Sequence, residues 1–297
     1  MCQIRAPGCG RLMACHFNHQ LRSSASDGDE AFVVALCQRL GIPCQVGRWN
    51  QDQATGRDRQ GREGLARRAR YEFLTELAGS AGARYVATAH TADDQAETVL
   101  HHLLRGTGLA GLSGMQRVRP LGTATLIRPL LPIRRDELRQ YLAGLDQPFR
   151  EDESNADNRF TRNRIRSVLL PLLEQEFNPQ VRQALIRLAT LAGEAHETIE
   201  YSARELAAHC LADDSTTGQV TIDLRRLQNR PRHLVREMFV VIWRERDWPR
   251  QDMSQAQWEL LADLAMDPAA ETPLQHTFPG AIRGHRDGHW LRLSSVR

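Results

Sequence analysis

Apolar positions along the chain fall into two alternating rhythms. The run Leu12 to Phe17 is short and continuously apolar in character, which predicts a buried strand. From Asp27 to Leu40 apolar residues return every three or four positions, the spacing of an amphipathic helix. Gly41-Ile42-Pro43 punctuates, and Cys44 to Val46 resumes an extended run. A polar stretch from Asn50 to Gly61 reads as a loop, and it leads to a helix over Glu63 to Ala78 and a strand over Tyr85 to Ala89. Strands alternating with helices predict an α/β fold, a parallel sheet with helices on both faces, whose ligands bind beyond the carboxyl ends of the strands. The residues just after Ala89 are therefore where chemistry is expected.

Further on, Leu126 to Leu131 is extended and apolar, with Arg128 set inside it, and Arg134 to Gly144 has a helical pattern. An arginine in such a place is ordinarily half of a structural ion pair. A polar turn over Glu151 to Asn155 precedes a helix in which Ile165, Val168, Leu169 and Leu172 make the buried face, with Arg159, Arg162 and Arg166 along its border. The remainder reads as a helix from Val181 to Leu211, a strand over Gln219 to Asp223, helices over Arg232 to Glu245 and Ser254 to Met266, and a hairpin from Ile282 to Leu293. This predicts an α/β domain over residues 1–178 and a smaller, mainly helical α+β domain over 179–297, with no internal repeat.

With 297 residues and 41% hydrophobic content, a packed core is feasible. No apolar run approaches the length that spans a bilayer, and Met1 to Cys15 lacks an apolar signal core, so the cytoplasm is the default location and no membrane partner is expected. The six cysteines crowd the N-terminal end without a C-x-x-C spacing, which predicts free thiols. His16 and His19 flank a strand-like run beside Cys15, and no metal-ligand set is predicted from them.

A net charge of +3 says little about partners, but all 39 basic residues are arginine. Codon bias accounts for the residue type. It does not account for the clusters: Arg62, Arg67, Arg68 and Arg70; Arg134, Arg135 and Arg139; Arg159, Arg162, Arg164 and Arg166; Arg225, Arg226, Arg230, Arg232 and Arg236. Guanidinium forks suit phosphate oxygens.

After the strand ending at Ala89 comes His90-Thr-Ala-Asp93-Asp94-Gln-Ala-Glu97-Thr98. Asp94 and Glu97 are three apart and Asp93 and Glu97 four apart, so their side chains share one side of a helix. Acids in a first turn complement the helix dipole, and Thr91 could cap it. Three acids with a histidine exceed what capping needs, and they could converge on magnesium or a substrate ammonium. The following Arg105 to Met115 contains a G-x-G-x-x-G string, but a helix precedes it and a loop follows, the reverse of a dinucleotide fingerprint. It reads as a flexible loop approaching the site.

Taken in order, His16-Phe-Asn-His19-Gln-Leu21-Arg22, Glu63 to Leu74 with Arg67, Arg70 and Tyr71, His90 to Thr98, Arg105 to Met115, Arg128 to Leu131 and Asn155 to Arg166 resemble the tRNA(Ile)-lysidine synthetases over most of residues 12–175. The resemblance implies an N-type ATP pyrophosphatase, an adenine-nucleotide alpha-hydrolase-like fold with residues 1–178 as catalytic domain and 179–297 as tRNA- or substrate-binding domain, and a ligase that uses ATP and Mg2+. In that reaction ATP adenylates the wobble cytidine of a CAU-anticodon tRNA(Ile), and the side-chain amine of free lysine then displaces AMP. It further implies that Asp94 and Glu97 are lysine-binding and catalytic acids, that His90 and Asp93 support nucleotide or metal, and that His19, Arg22 and Arg105 contact the nucleotide. Arg67, Arg70, Arg128, Arg162 and Arg166 are the implied tRNA or phosphate contacts, and a homodimer is compatible with the pattern. One departure stands out. The Ser-Gly-Gly-x-Asp-Ser loop that wraps pyrophosphate in that class, with its strand and helix, has no counterpart in these 297 residues, which predicts loss of ATP turnover. A tRNA-binding relative without catalysis and another tRNA-modifying ATP pyrophosphatase are the competing readings.

Overall fold

The computed structural model describes residues 10–20, 23–49, 61–150, 161–212, 219–266 and 275–296. Strands β1 (Ala14–Asn18) and β2 (Cys44–Arg48) pair in parallel, with Ala14 opposite Cys44, and helix α1 (Ser23–Arg39) connects them. Gly41, at φ 63°, closes the turn out of α1, where the Ile42 amide donates to the Cys37 carbonyl. Helix α2 (Gly61–Ser80) then leads to β3 (Tyr85–Ala87), which pairs in parallel with β5 (Ala124–Ile127). The expected strand–helix alternation is therefore present.

Two details differ from expectation. Among the described residues the first five strands form two sheets, β1-β2 and β3-β5-β4, and β4 (Val118–Leu121) runs antiparallel to β5. Only Gly122 and Thr123 separate β4 from β5, and so short a link can make a hairpin but not a parallel crossover. The loop expected over Arg105 to Met115 contains one helical turn, α4 (Leu109–Leu112).

Helix α3 (Ala92–Leu104) buries Ala92, Ala96, Val99 and Leu100, as its apolar spacing requires. Helix α5 (Arg135–Ala143) follows β5. The segment beyond it is not a plain α-helix: α6 (Thr161–Arg164) passes through a π-helical turn over Ile165–Leu169 into α7 (Leu170–Glu176). The extra residue in that turn shifts the helix face. Ile165 and Leu170 are buried, whereas Val168 and Leu172, expected inside, are 53% and 47% exposed.

The chain divides into two compact units, Met1–Leu104 with Gly114–Ile186, and Arg105–Ser113 with Arg187–Arg297, so the division falls within helix α8 (Val181–Cys210). The second unit has a four-stranded antiparallel sheet, ordered β6 (Val220–Asp223), β9 (Trp290–Ser295), β8 (Ile282–Asp287) and β7 (Gln275–Phe278). It packs with α9 (Arg232–Glu245) and α10 (Gln255–Met266) around Trp243, which is fully buried and meets Trp248, Trp258 and Phe278 edge-on at 4.8 to 6.0 Å. No helix among the described residues is long and apolar enough to cross a membrane.

The smaller core of the first unit tests this packing. Phe73 of α2 lies against Phe17 of β1, and a Cβ added at Gly47 of β2 would sit 2.7 Å from the Phe73 ring and 2.9 Å from Phe17. Gly47→Ala is expected to destabilise the protein by about 1–3 kcal/mol through overpacking. Urea unfolding measures this, and an unchanged midpoint would contradict the packing.

Candidate active site

Strand β3 ends at Ala87, and the chain carries one more sheet bond, Thr88 amide to Ile127 carbonyl, before His90 and Thr91 turn it into α3. The first turn of α3 is capped from within. Asp94 accepts from the Thr91 amide and hydroxyl, both at 2.9 Å, through one carboxylate oxygen, leaving the other facing outward from the cap. Burial pushes the Asp94 carboxyl up, but these Thr91 bonds and the charges of Arg162 and Arg135 outweigh it and hold the pKa below the usual value.

Glu97, one turn later, has no exposed surface. Arg166 grips it with two donors, Nε to Oε1 at 2.6 Å and Nη2 to Oε2 at 2.8 Å, while Arg162 Nε reaches Oε2 at 3.2 Å. Arg135 adds a third guanidinium, 3.6 Å from Glu97 and 3.4 Å from Asp94. Arg162 and Arg166 also lie 3.5 and 3.3 Å from the same Asp94 oxygen. Three guanidinium groups thus enclose two carboxylates.

The remaining acid, Asp93, ties elements together. One oxygen accepts the Arg135 backbone amide at 2.8 Å, anchoring the start of α5, and the other accepts from Arg182 at 3.3 Å, which also binds Glu174 at 2.7 Å. A divalent cation approaching these acids meets guanidinium groups first, and among the described residues no group of three or more His, Cys, Asp and Glu is placed to hold a metal. The three acids do not fit a resident magnesium ion.

His90 is half-buried, its Nδ1 2.9 Å from the Thr88 hydroxyl. Burial first, and then the nearby charges of Arg128, Arg70 and Arg162, lower its pKa to about 4, against a smaller upward pull from Asp94. It is a neutral imidazole at neutral pH. His19 stands at the carboxyl end of β1, its ring edge-on to Phe17 at 5.0 Å. Arg22 lies outside the described residues, and Arg105 belongs to the second unit.

The arginines sort into two sets. Of the three arginines expected along that helix border, Arg159 lies outside the described residues, and Arg162 and Arg166 turn onto carboxylates. Arg162 from α6 and Arg166 from the π turn both reach inward, to Glu97 and Asp94, with side chains only 30% and 21% exposed. Arg67 and Arg70 of α2 instead gather at the ring of Tyr71, and Arg128 is buried with one donor on the Gln116 carbonyl. Arg128 has no carboxylate partner among the described residues, contrary to the ion pair its sequence setting suggests. Much of the fourth cluster is neutralised inside the second unit: Arg225 binds Asp223, Arg232 binds Glu259 and Asp263, and Arg236 binds Glu259.

Sequence reasoning missed Arg135 and Arg182 as partners of the acids, because their partners lie 41 and 89 residues away. It also missed Gln95, which clamps the chain after the glycine-rich loop by accepting the Met115 amide at 2.7 Å. Gly114, at φ 66°, makes that approach feasible, since a Cβ there would sit 2.8 Å from the Gln95 amide. Its glycine spacing was the available signal.

A parallel pair of strands with acids and a histidine beyond its carboxyl end is the arrangement of a nucleotide-binding α/β domain, and the PP-loop domain family matches residues 3–173, more than half of the chain. The tRNA(Ile)-lysidine synthase of Rhodopirellula baltica is 36% identical over 280 residues, 86% of this chain and 69% of that protein. Those of Geobacter sulfurreducens and Bacillus subtilis are 40% and 34% identical over 77% and 71% of this chain, which spans 48% and 45% of their own lengths. The chain belongs to the tRNA(Ile)-lysidine synthase family of PP-loop enzymes. Among solved structures, the U34-tRNA thiolase NcsA from Methanococcus maripaludis shares the fold, at TM-score 0.50 and 17% identity over 62% of this chain and 63% of that one.

Two outcomes are expected. Arg166→Ala strips the bidentate partner from a buried carboxylate and should cost about 3–5 kcal/mol of stability, whereas Arg204→Ala, which removes a half-exposed pair with Glu200, should cost about 1 kcal/mol or less. Equal losses in denaturant titrations would contradict the enclosure. For His90, a folded pKa of about 4 below an ordinary 6.5 means that its contribution is present above pH 6.5 and is lost as pH falls towards 4. Stability of His90→Asn should therefore decline less than wild type between those limits, and parallel curves would count against a buried neutral imidazole.

Proposed function

We propose that the chain forms lysidine on a CAU-anticodon tRNA(Ile), with Asp94 and Glu97 handling the lysine. The observation that carries this reading is the convergence of these two carboxylates at the carboxyl end of β3 in a chain of this family. ATP supplies the adenylyl group. In the first step an oxygen of the wobble cytidine bonds to the α-phosphorus and pyrophosphate leaves. In the second, the lysine amine bonds to the activated ring carbon and AMP departs with that oxygen. The amine arrives as an ammonium and must lose a proton before it attacks, so it needs an anionic seat that can also accept the proton.

Asp94 and Glu97 provide that seat, but guanidinium groups already occupy it. The ammonium therefore competes with Arg162 and Arg166 for the carboxylates. Displaced from them, those two arginines can turn donors toward phosphate, which joins their ion pairs to the tRNA contact expected of them. Arg67, Arg70 and Arg128 have no carboxylate partner among the described residues and serve the same polyanion. Neutral His90 donates or accepts a hydrogen bond at the nucleotide without adding charge, and His19 at the end of β1 lies where an α/β sheet presents its ligand. Asp93 acts as a tether between α3 and α5.

The 297 residues hold no Ser-Gly-Gly-x-Asp-Ser segment, and these residues alone are expected to show no lysine-dependent AMP release with ATP and cognate tRNA. Robust turnover in that assay would disprove the need for the loop. In a version joined to such a loop, Asp94→Asn and Glu97→Gln should each abolish lysidine formation while tRNA affinity changes less than about threefold, because carboxylates repel phosphate. A large loss of affinity in a gel-shift titration would remove the lysine-seat assignment.

A further inference from the structure

Four arginines of the first unit lie around one tyrosine. The Cζ atoms of Arg119, Arg67 and Arg70 stand 4.8, 5.2 and 5.6 Å from the centre of the Tyr71 ring. Arg119 and Arg128 also face the Tyr71 hydroxyl, which is buried and makes no hydrogen bond of normal geometry. Arg119 comes from β4, Arg128 from the end of β5, and the other two from α2, so three elements deliver charge to one place. The electron-rich ring face attracts each cation singly, but it cannot offset the repulsion among four.

The contrast with the acid site is informative. There, three guanidinium groups meet two carboxylates. Here none of the four forms an ion pair with a carboxylate among the described residues. Arg128 is only 3% exposed, and its Nε–H is buried without an acceptor, although its Nη1 donates to the Gln116 carbonyl. Buried polar groups are ordinarily satisfied, and a buried cation ordinarily has a counter-charge. An unmet guanidinium donor, an unmet phenol and excess positive charge at one spot define what is missing, an anion with several acceptor oxygens. A carboxylate offers two oxygens and one charge. A phosphate group offers more acceptor positions in a tetrahedral array that forks from different elements can share.

We propose that Arg67, Arg70, Arg119 and Arg128 form a single phosphate-binding site with Tyr71 as its floor and hydroxyl donor, and that Arg119 is its unassigned fourth cation. The site deepens the reading of Arg67, Arg70 and Arg128 as phosphate contacts given above, and rests on it for those three. Two sources share the chemistry: the phosphates of a nucleotide or pyrophosphate, and the phosphodiesters of an RNA strand.

The test is calorimetric titration of the full chain with inorganic pyrophosphate, and separately with a short single-stranded oligoribonucleotide lacking terminal phosphates. Wild type should bind at least one probe, and the probe bound identifies the source. Removing one charge-assisted contact should weaken that binding about tenfold in Arg119→Gln and in Arg67→Gln. Arg67 is exposed, so its variant is expected to fold even if Arg119→Gln does not. Arg246→Gln, at an exposed arginine just after α9, should bind as wild type does. Wild type binding neither probe, wild-type affinity in Arg67→Gln and Arg119→Gln, or an equal loss in Arg246→Gln would each overturn the site. No turnover is needed, so a chain that forms no lysidine but loses probe binding at Arg67 and Arg119 supports the site while removing the proposed reaction.

Discussion

A carboxylate with no exposed surface keeps its charge only if counter-charges come to it, and Glu97 is such a group. Its partners arrive from α5 and from the α6 and π segment, so satisfying one buried charge fixes where three elements of the first unit lie. Asp93 and Asp94 extend the effect. Asp94 holds the start of α3 through Thr91, and Asp93 holds the start of α5 through the Arg135 amide. The residues with the greatest chemical potential are therefore also those on which local geometry rests, which is why substitution here touches stability and reactivity together.

The same enclosure decides among ligands. A small hard cation gains nothing from carboxylates already met by guanidinium groups, whereas an ammonium can replace a guanidinium donor for donor. The neutral state of His90 follows first from its burial and then from nearby positive charge, since Arg128, Arg70 and Arg162 all disfavour a further cation. Positive charge left over around an acid pair is what a site needs if one substrate is an amine and the other a polyanion.

Much of this was legible in the sequence, and the limits are physical. The strand and helix alternation showed because apolar periodicity is local. Helix α9 begins and ends where its pattern does, at Arg232 and Glu245, because six of its side chains are buried on one face. Strands β4 and β7 were not visible, since Val-Arg-Pro-Leu and Gln-His-Thr-Phe lack a clean alternation and owe their state to pairing with β5 and β8. The acids after β3 were found from their crowding. Their partners were not, because Arg162 and Arg166 lie 65 and 69 residues from Glu97, and a helical wheel reports spacing along one element only.

The wheel also assumed 3.6 residues per turn throughout. The π turn at Ile165–Leu169 breaks that assumption with one additional residue. Each residue turns a helix by about 100°, so the loss of a single position there would swing everything on one side of it by that angle relative to the other. A length change that most surface loops absorb without notice would, in this five-residue stretch, part Leu170 from the core or the arginines from Glu97. The count of residues between Arg162 and Leu170 is thus as constrained as their identities.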